Sequence, residues 1–426
     1  MPRHAAALPK IPGTQRTVTA EETFARAQPV AKSLGVTRLA DITGLDRVGI
    51  PTWSAVVPKS EDGLSVYNGK GLCALDAKTG ALMEAIERQT ALKTRLPFAF
   101  GSFDELRQKH EVLDPAELKE ILEPDYSEGR TYAWVAGREL FSDRQILVPA
   151  KFAGYLWHDV PYPSCFSWST TNGIAAGNVR EEAICQALCE LIERDAWTLA
   201  EIGAHLLPWV RHRVADRQSL ASAADDHDFL PCIDLEGDPA VDLFERAGLH
   251  PVLHDITSDL AIPTVLAAVA DETLPGFPMV HCGLGTHPDA RVATRRALTE
   301  AAQSRCVDIQ GVREDLEPVD APPSSLNLHT RRIRSVNRSQ WQLGQSRLRR
   351  RISDLPSAVY HDVLQDLDHI LSRLRACGIG PVIVVDFTPP DAPFAVVRVI
   401  VPALETWSIT HGPLGARAME FWRRHA

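Results

Sequence analysis

Apolar residues recur at three- and four-residue spacing in several stretches of the chain, and each such stretch predicts a helix. Thr19 to Leu34 is the first, with Thr19 and Glu22 spaced as a capping box. Residues 75–93, residues 179–203, Ala290 to about Ile309 and Tyr360 to Ala376 follow, and Asp114 to Leu122 fits a shorter helix. Short or alternating apolar runs predict strands at Trp53–Val57, Arg130–Gly137, Gln145–Pro149, Pro278–Gly283, Pro381–Phe387 and Phe394–Val401. Cys232 to Ala247 and Val252 to Asp271 read as two strand-and-helix units, the alternation expected of α/β layering. Residues 1–18 read as a flexible lead-in. Residues 59–71 read as turn-rich, carrying Gly69-Lys70-Gly71, and residues 167–178 as a polar loop with Asn178 capping the helix that follows.

Three of the helices break the usual amphipathic rule. On a helix, residues three and four apart share a face. Glu84 and Glu87 therefore point the same way; Glu182, Gln186, Glu190 and Glu193 form one stripe; Arg296, Glu300 and Gln303 form another. Each stripe is embedded among apolar positions such as Ala81, Leu82, Ile86, Leu188, Ile192, Leu298 and Ala302, so these acids are partly buried rather than opposite the apolar face. Burying several carboxylates requires positive charge nearby. Pairing with Arg88, Arg194, Arg296 and Arg305 is one solution. A shared cation satisfies the whole set at once, and carboxylate oxygens are hard ligands suited to Mg²⁺, which also takes substrate phosphates. Lys70 and the arginines beside such a site suit phosphate oxygens. The residues thus point to a Mg²⁺–nucleotide site built from helix faces, since no GxxxxGK[ST] loop occurs. GKG (69–71) and GLGTH (283–287) are weak phosphate-loop signals taken alone, and no GxSxG elbow is present.

Charge and cysteines narrow the picture further. With 45 Lys+Arg against 55 Asp+Glu, the chain carries a formal net charge of −10, which disfavours general nucleic-acid binding. No two of the 8 cysteines have CxxC spacing, and Cys185 and Cys189, one turn apart, read as helix-packing residues rather than zinc ligands. The N-terminus lacks the apolar core of a signal peptide, and the longest apolar stretch, around Ala261 to Ala270, is too short to span a membrane, so a cytoplasmic protein is expected. Residues 331–351 hold eight arginines and no acid, a solvated segment or a docking site.

Taken together, GKGLCALDAKTGALMEAIER, TNGIAAGNVREEAICQALCELIERD and GLGTHPDARVATRRALTEAAQSR resemble the three characteristic motifs of the YcaO family, over roughly residues 65–405; the closing VVRVIVPALE is also similar. The resemblance implies an α/β (α+β) fold with mixed or antiparallel sheets flanked by the three helices, and an ATP-dependent activator of peptide backbone amides. It implies an N-terminal extension over residues 1–64 and a catalytic domain over 65–426, with an Arg-rich insertion at about 311–358. By the same likeness Glu84, Glu87, Glu190 and Glu193 match the metal-holding acids. Lys70, Glu182, Arg194, Arg296, Glu300 and Gln303 match positions around the ATP, and no residue is singled out as catalytic. Gly80 stands where many members have Ser, with Thr79 as a neighbouring hydroxyl, and Thr171 stands where Ser is common. The lead-in from Gly13 to Pro51 resembles members that work with a TfuA partner and an external sulfur donor to make a backbone thioamide. Azoline formation by a cyclodehydratase on a ribosomally made peptide is the alternative. A non-catalytic peptide-binding scaffold and an RNA-modifying protein using the Arg-rich segment are readings of other classes. Homodimerisation is an expectation from the family alone.

Overall fold

The computed structural model describes all residues except 1–6, 63, 156, 158–159, 161, 168–169, 209, 211–229, 235–236, 272–278 and 312–340. Three sheets carry the fold. The smallest joins β1 (Arg38–Asp41), β2 (Thr52–Val56) and β3 (Val66–Lys70) in antiparallel order, with α1 (Ala20–Ser33) and α2 (Ala74–Lys93) packed on it. The central sheet runs β4 (Ala99–Gly101), β5 (Tyr132–Glu139), β13 (Ile383–Asp386), β14 (Ala395–Ile400), β7 (Ile174–Gly177), with β6 (Gln145–Pro149) on the far side of β5. The third runs β11 (Met279–Thr286), β10 (Thr264–Asp271), β9 (Val252–Asp255), β8 (Cys232–Asp234), β12 (Arg349–Arg351). Its pairings are antiparallel except β8 with β12, which is parallel. The fold class is thus the α/β (α+β) arrangement of mainly antiparallel sheets expected above.

Helices cover these sheets where the sequence buries its apolar stripes. α3 (Arg180–Glu201) lies on β7 and β14 and packs against α6 (Val363–Ala376); Cys185 and Cys189 are buried in that layer, as expected of packing residues. α4 (Pro239–Arg246) and α5 (Ala290–Gly311) cover the third sheet, and α7 (Ala416–His425) closes against the end of α3. Among the described residues no helix is long and apolar enough to cross a membrane.

The glycine motifs serve close packing. Gly69 lies inside β3, so GKG closes a strand and is not a turn before the helix. A Cβ on Gly69 would lie 2.1 Å from Ala77 O and 2.1 Å from Ala81 N of α2. Gly283 stands in the same relation to α5, where a Cβ would lie 2.2 Å from Ala297 O and 2.2 Å from Ala301 N. Glycine on the strand and alanine on the helix let the two backbones approach to a distance that any side chain would prevent.

Several expectations are corrected. Asp114 to Leu122 is no helix: after the Asp114 side chain caps Ala116 N, Pro115–Glu117 makes a single 3₁₀ turn, and Leu122 then bridges Phe166. Val252 to Asp271 is two strands, β9 and β10 paired antiparallel; the unbroken apolar run Val265–Ala270 is the short, almost wholly buried run of a covered strand and not a helix. Asn178 does not cap α3. Its amide donates to Glu182 and its carbonyl accepts from Thr23, while Val179 occupies the cap position. Thr19 does cap α1, accepting from Glu22 N at 3.3 Å. Of the Arg-rich stretch, residues 331–340 lie outside the described residues; Arg349 and Arg350 pair with Asp234 and Asp255 at the β12 edge.

Nor are the described residues of the lead-in loose. Leu8 N donates to Asp362 Oδ2 at 2.8 Å, Val363 N donates to Leu8 O at 3.0 Å, and Lys10 ion-pairs with the fully buried Asp366. The 64/65 boundary falls between β2 and β3, which pair with each other over Thr52–Val56.

Candidate active site

α2, α3 and α5 each set their acidic stripe toward a common region. α2 contributes Glu84 and Glu87, and Ala176 N of β7 donates to Glu87 Oε2 at 2.9 Å, fixing that helix against the central sheet. α3 contributes Glu190, Glu193 and Arg194; the Arg194 guanidinium stands 3.6 Å from Glu193 and 3.9 Å from Glu190. α5 contributes Glu300, which ion-pairs with Lys70 at the end of β3. Arg296, one turn earlier, donates to Gln186 Oε1 at 2.9 Å. Gln303, one turn later, is half-buried.

The electrostatics show that these groups sense one another. Burial pushes the Glu84 carboxyl up to about 7, with Glu190 and Glu300 adding to the effect and Arg88 and Lys70 opposing it. Burial likewise raises Glu193 to about 7, helped by Glu300 and Glu190 against Arg194 and Arg296. Glu87 is raised well above the carboxylate range by burial, then by Glu84 and Glu190. Glu190 is raised by burial, against Arg194. Of these five acids Glu300 alone is held low: burial raises it, but Lys70, Arg194 and Arg296 outweigh the burial.

The site therefore holds more carboxylate than neighbouring positive charge. Two of the four arginines expected to compensate are committed elsewhere. Arg88 forks onto Asp62 at 3.0 and 3.2 Å, and Arg305 is buried between Asp46 and Asp271 at 2.9 to 3.0 Å. Glu193 Oε2, Arg194 Nε and Arg296 Nε are buried with no hydrogen-bond partner. Among the described residues, no three acidic, His or Cys side chains already form a ligating cluster. An open set of hard oxygen donors, short of positive charge, fits Mg²⁺, which keeps several waters and shares its shell with phosphate.

A cavity of about 570 Å³ adjoins these groups; Lys70, Arg296, Thr79, Gly80 and Asn178 are among its walls. The Thr79 hydroxyl donates to Leu75 O at 2.8 Å, a back-bond to its own helix. Glu182 is turned to the protein. It is fully buried, and accepts from Thr17 N and Oγ, from Asn178 N at 2.8 Å and from Asn178 Nδ2 at 3.1 Å, which uses the acceptor capacity of a carboxylate.

Residues that sequence reasoning did not single out also enter. Arg398, on β14, is buried and donates to Phe152 O, with its guanidinium 4.3 Å from the Phe152 ring. Burial lowers it to about 10, with Glu120 and Glu190 opposing. A lone arginine inside the apolar run Phe394–Val401 was its signal. His287 of the GLGTH motif is fully buried; its Nδ1 accepts from Asp289 N at 2.9 Å, and burial holds it neutral, at about 3.

Residues 68–405 match the model of the YcaO cyclodehydratase family, described as ATP- and Mg²⁺-binding. The chain is 35% identical over 388 residues to an uncharacterised protein of Methanothermobacter thermautotrophicus, covering 90% of this chain and 93% of that one. It is 33% identical over 402 residues to a Rhizobium leguminosarum bv. trifolii protein described as lying in the tfuA 3′ region, covering 92% and 88%. Among solved structures, YcaO from Methanopyrus kandleri bound with AMPPCP and Mg²⁺ superposes with a TM-score of 0.70 at 25% identity, covering 94% of this chain and 95% of that one. The fold and the acid-lined site thus define an ATP-dependent enzyme class that uses Mg²⁺. The chain belongs to the YcaO family.

Proposed function

We propose that the protein activates a peptide backbone amide by O-phosphorylation from ATP and installs a thioamide, with an external sulfur donor and a TfuA-like partner. The carrying observation is the convergence of Glu84, Glu87, Glu190, Glu193 and Glu300 with Lys70, Arg194 and Arg296 from three helices and a strand, in a setting short of positive charge. In this reading Glu84, Glu87, Glu190 and Glu193 hold Mg²⁺, which when bound neutralises the triphosphate. Lys70, Arg194 and Arg296 bind phosphate oxygens, with Glu300 setting the position of Lys70 and Gln303 beside it. Glu182 acts through Thr17 and Asn178 as a positioning residue.

Sulfide adds to the amide carbon, and the resulting oxyanion attacks the γ-phosphate, releasing ADP. Loss of phosphate and of the sulfur-borne proton then leaves C=S. An amide oxygen is a poor leaving group and its phosphate ester a good one. The protein's part is positioning and charge neutralisation. The sulfur branch is supported by the likeness to the Rhizobium protein of the tfuA 3′ region. The family's description as cyclodehydratases favours a second reading, azoline formation on Cys, Ser or Thr of a ribosomal peptide.

The test is incubation of the full chain with MgATP, sulfide, a TfuA-like protein and candidate peptides, followed by mass spectrometry. A gain of about 16 Da, oxygen exchanged for sulfur, is the expected result, and a loss of about 18 Da gives the azoline instead. ATP-independent peptide binding with neither change sinks both enzymatic readings.

A further inference from the structure

Arg398 and Glu120 are opposite charges, buried together and kept apart. They are 1% and 6% exposed, and each is the largest charge that the other feels. Among the described residues they form no ion pair. Arg398 Nη1 donates to Phe152 O, but Arg398 Nε is buried without a partner, and so is Glu120 Oε2. Two further buried oxygens without partners, Thr170 Oγ1 and Asn172 Oδ1, stand in the loop that opens β7. That loop and Glu120 meet at the same end of β14. Ile174 of β7 is the cross-strand partner of Arg398, and Gly173 O accepts from Val399 N at 2.8 Å. Lys119, beside Glu120 in sequence, donates to Pro402 O and Leu404 O at 2.6 and 2.7 Å, just past the end of β14.

This cluster borders the acid-lined site. Two residues along β14 from Arg398 is Val396, the cross-strand partner of Ala176, whose N–H holds Glu87. Glu190 is the second carboxylate that Arg398 feels. A buried guanidinium and a buried carboxyl held apart are destabilising unless a group between them satisfies both. Such a group accepts from the guanidinium and donates to the carboxylate. A planar trans peptide unit does this from opposite edges, its C=O facing one way and its N–H the other. Thr170 and Asn172 then offer acceptors to a neighbouring N–H of the same peptide. Resting on the amide-activation reading above, we propose that Arg398 and Glu120 hold the substrate's backbone amide beside the metal acids, Arg398 donating to its carbonyl oxygen and Glu120 accepting from its N–H. Negative charge developing on that oxygen meets a fixed guanidinium in a water-poor setting, where such a contact counts most. These two residues read backbone atoms alone, so the ligand class is an extended peptide of any side chain.

Ligand-observed NMR titration of the full chain with the blocked peptide acetyl-triglycine methylamide tests this. Mg²⁺ and a non-hydrolysable ATP analogue are present; calorimetry follows the analogue, and melting curves follow the fold. Wild type should bind the peptide saturably. It should bind the counterpart methylated at every amide nitrogen, which keeps each C=O and lacks each N–H, about tenfold or more weakly. Glu120→Leu removes a carboxyl with no partner, so it should melt no lower than wild type yet lose about tenfold or more in peptide affinity. Arg398→Lys, which keeps the charge and loses the fork, should weaken the peptide as well. No peptide binding by wild type, equal binding of the two peptides, or wild-type affinity in both variants overturns the assignment, while analogue binding by wild type leaves the ATP reading intact. A Glu120→Leu protein that melts well below wild type would make Glu120 structural and overturn it too. Absence of analogue binding by wild type overturns both readings.

Discussion

At the scale of single residues, Glu84, Glu87, Glu190 and Glu193 are placed where burial and neighbouring carboxylates favour their protonated forms. Glu190 has Arg194 at 3.9 Å and feels the charge of Glu300, so on the proposed metal set Glu190→Gln would take away one oxygen charge without leaving a hole. Glu190→Gln should cut ATP turnover by at least a hundredfold and leave the melting temperature of the metal-free protein unchanged or raised; an active variant would remove Glu190 from the metal set. The same electrostatics predict a pH signature. Glu84 and Glu193 titrate near 7 in the folded chain, against an ordinary glutamate value of 4.5 when unfolded. Below both values each group is protonated in either state and contributes nothing. Between them the folded state holds protons that the unfolded state has released, so stability falls as pH rises and levels off above about 7. Melting in EDTA should show this decline from pH 5 to 8. Glu84→Gln should flatten part of it, and saturating MgATP should abolish it, because the bound cation favours the ionised carboxylates. An identical slope for wild type and Glu84→Gln would contradict the shared-charge account.

At the scale of elements, the three acid-bearing helices were legible because their spacing is local: residues three and four apart must share a helix face, whatever the rest of the chain does. Their convergence was not legible from spacing, since Lys70 meets Glu300 across 230 positions. The order of the lead-in was invisible for a related reason. Residues 8–18 have no periodicity, and their order comes from partners such as Asp362 and Glu182 far along the chain. GKG reads as part of a turn-rich stretch, and both glycine motifs as no more than weak phosphate-loop signals, because sequence shows a missing side chain but not the helix that occupies its place. Gly283 is the sharpest case. A methyl group there would meet the backbone of α5 at 2.2 Å, forcing the helix off β11 and carrying Glu300 away from Lys70. Gly283→Ala should therefore destabilise the fold by about 1–3 kcal/mol, the usual cost of overpacking, and depress ATP turnover more than a surface substitution of equal destabilisation would. Thermal melts paired with turnover measured well below the melting point separate the two effects.

At the scale of the whole molecule, the residues before position 68 and the family-matched core are interleaved. β3, which carries Lys70, is hydrogen-bonded along Val66–Lys70 to β2, and β2 to β1. α1 packs on α2, the helix of Glu84 and Glu87, burying Ala27 and Ala31 against Ala81, Ala85 and Ile86 in one cluster. Arg305 of α5 is neutralised in part by Asp46, which precedes β2. A chain beginning at residue 65 would expose the edge of β3, uncover the apolar face of α2 and leave Arg305 buried with half its counter-charge, each a large term against a net stability of only about 5–15 kcal/mol. We expect the 65–426 fragment to lack a cooperative melting transition and to bind no ATP analogue, even though it spans all three family motifs. Supplying residues 1–64 as a separate chain should restore both in proportion to its concentration if the interleaving is the cause. A 65–426 fragment that melts cooperatively on its own would show instead that the sheet of β1 to β3 is an accessory, and that the acids of α2 are positioned from the central sheet alone through Glu87 and Ala176.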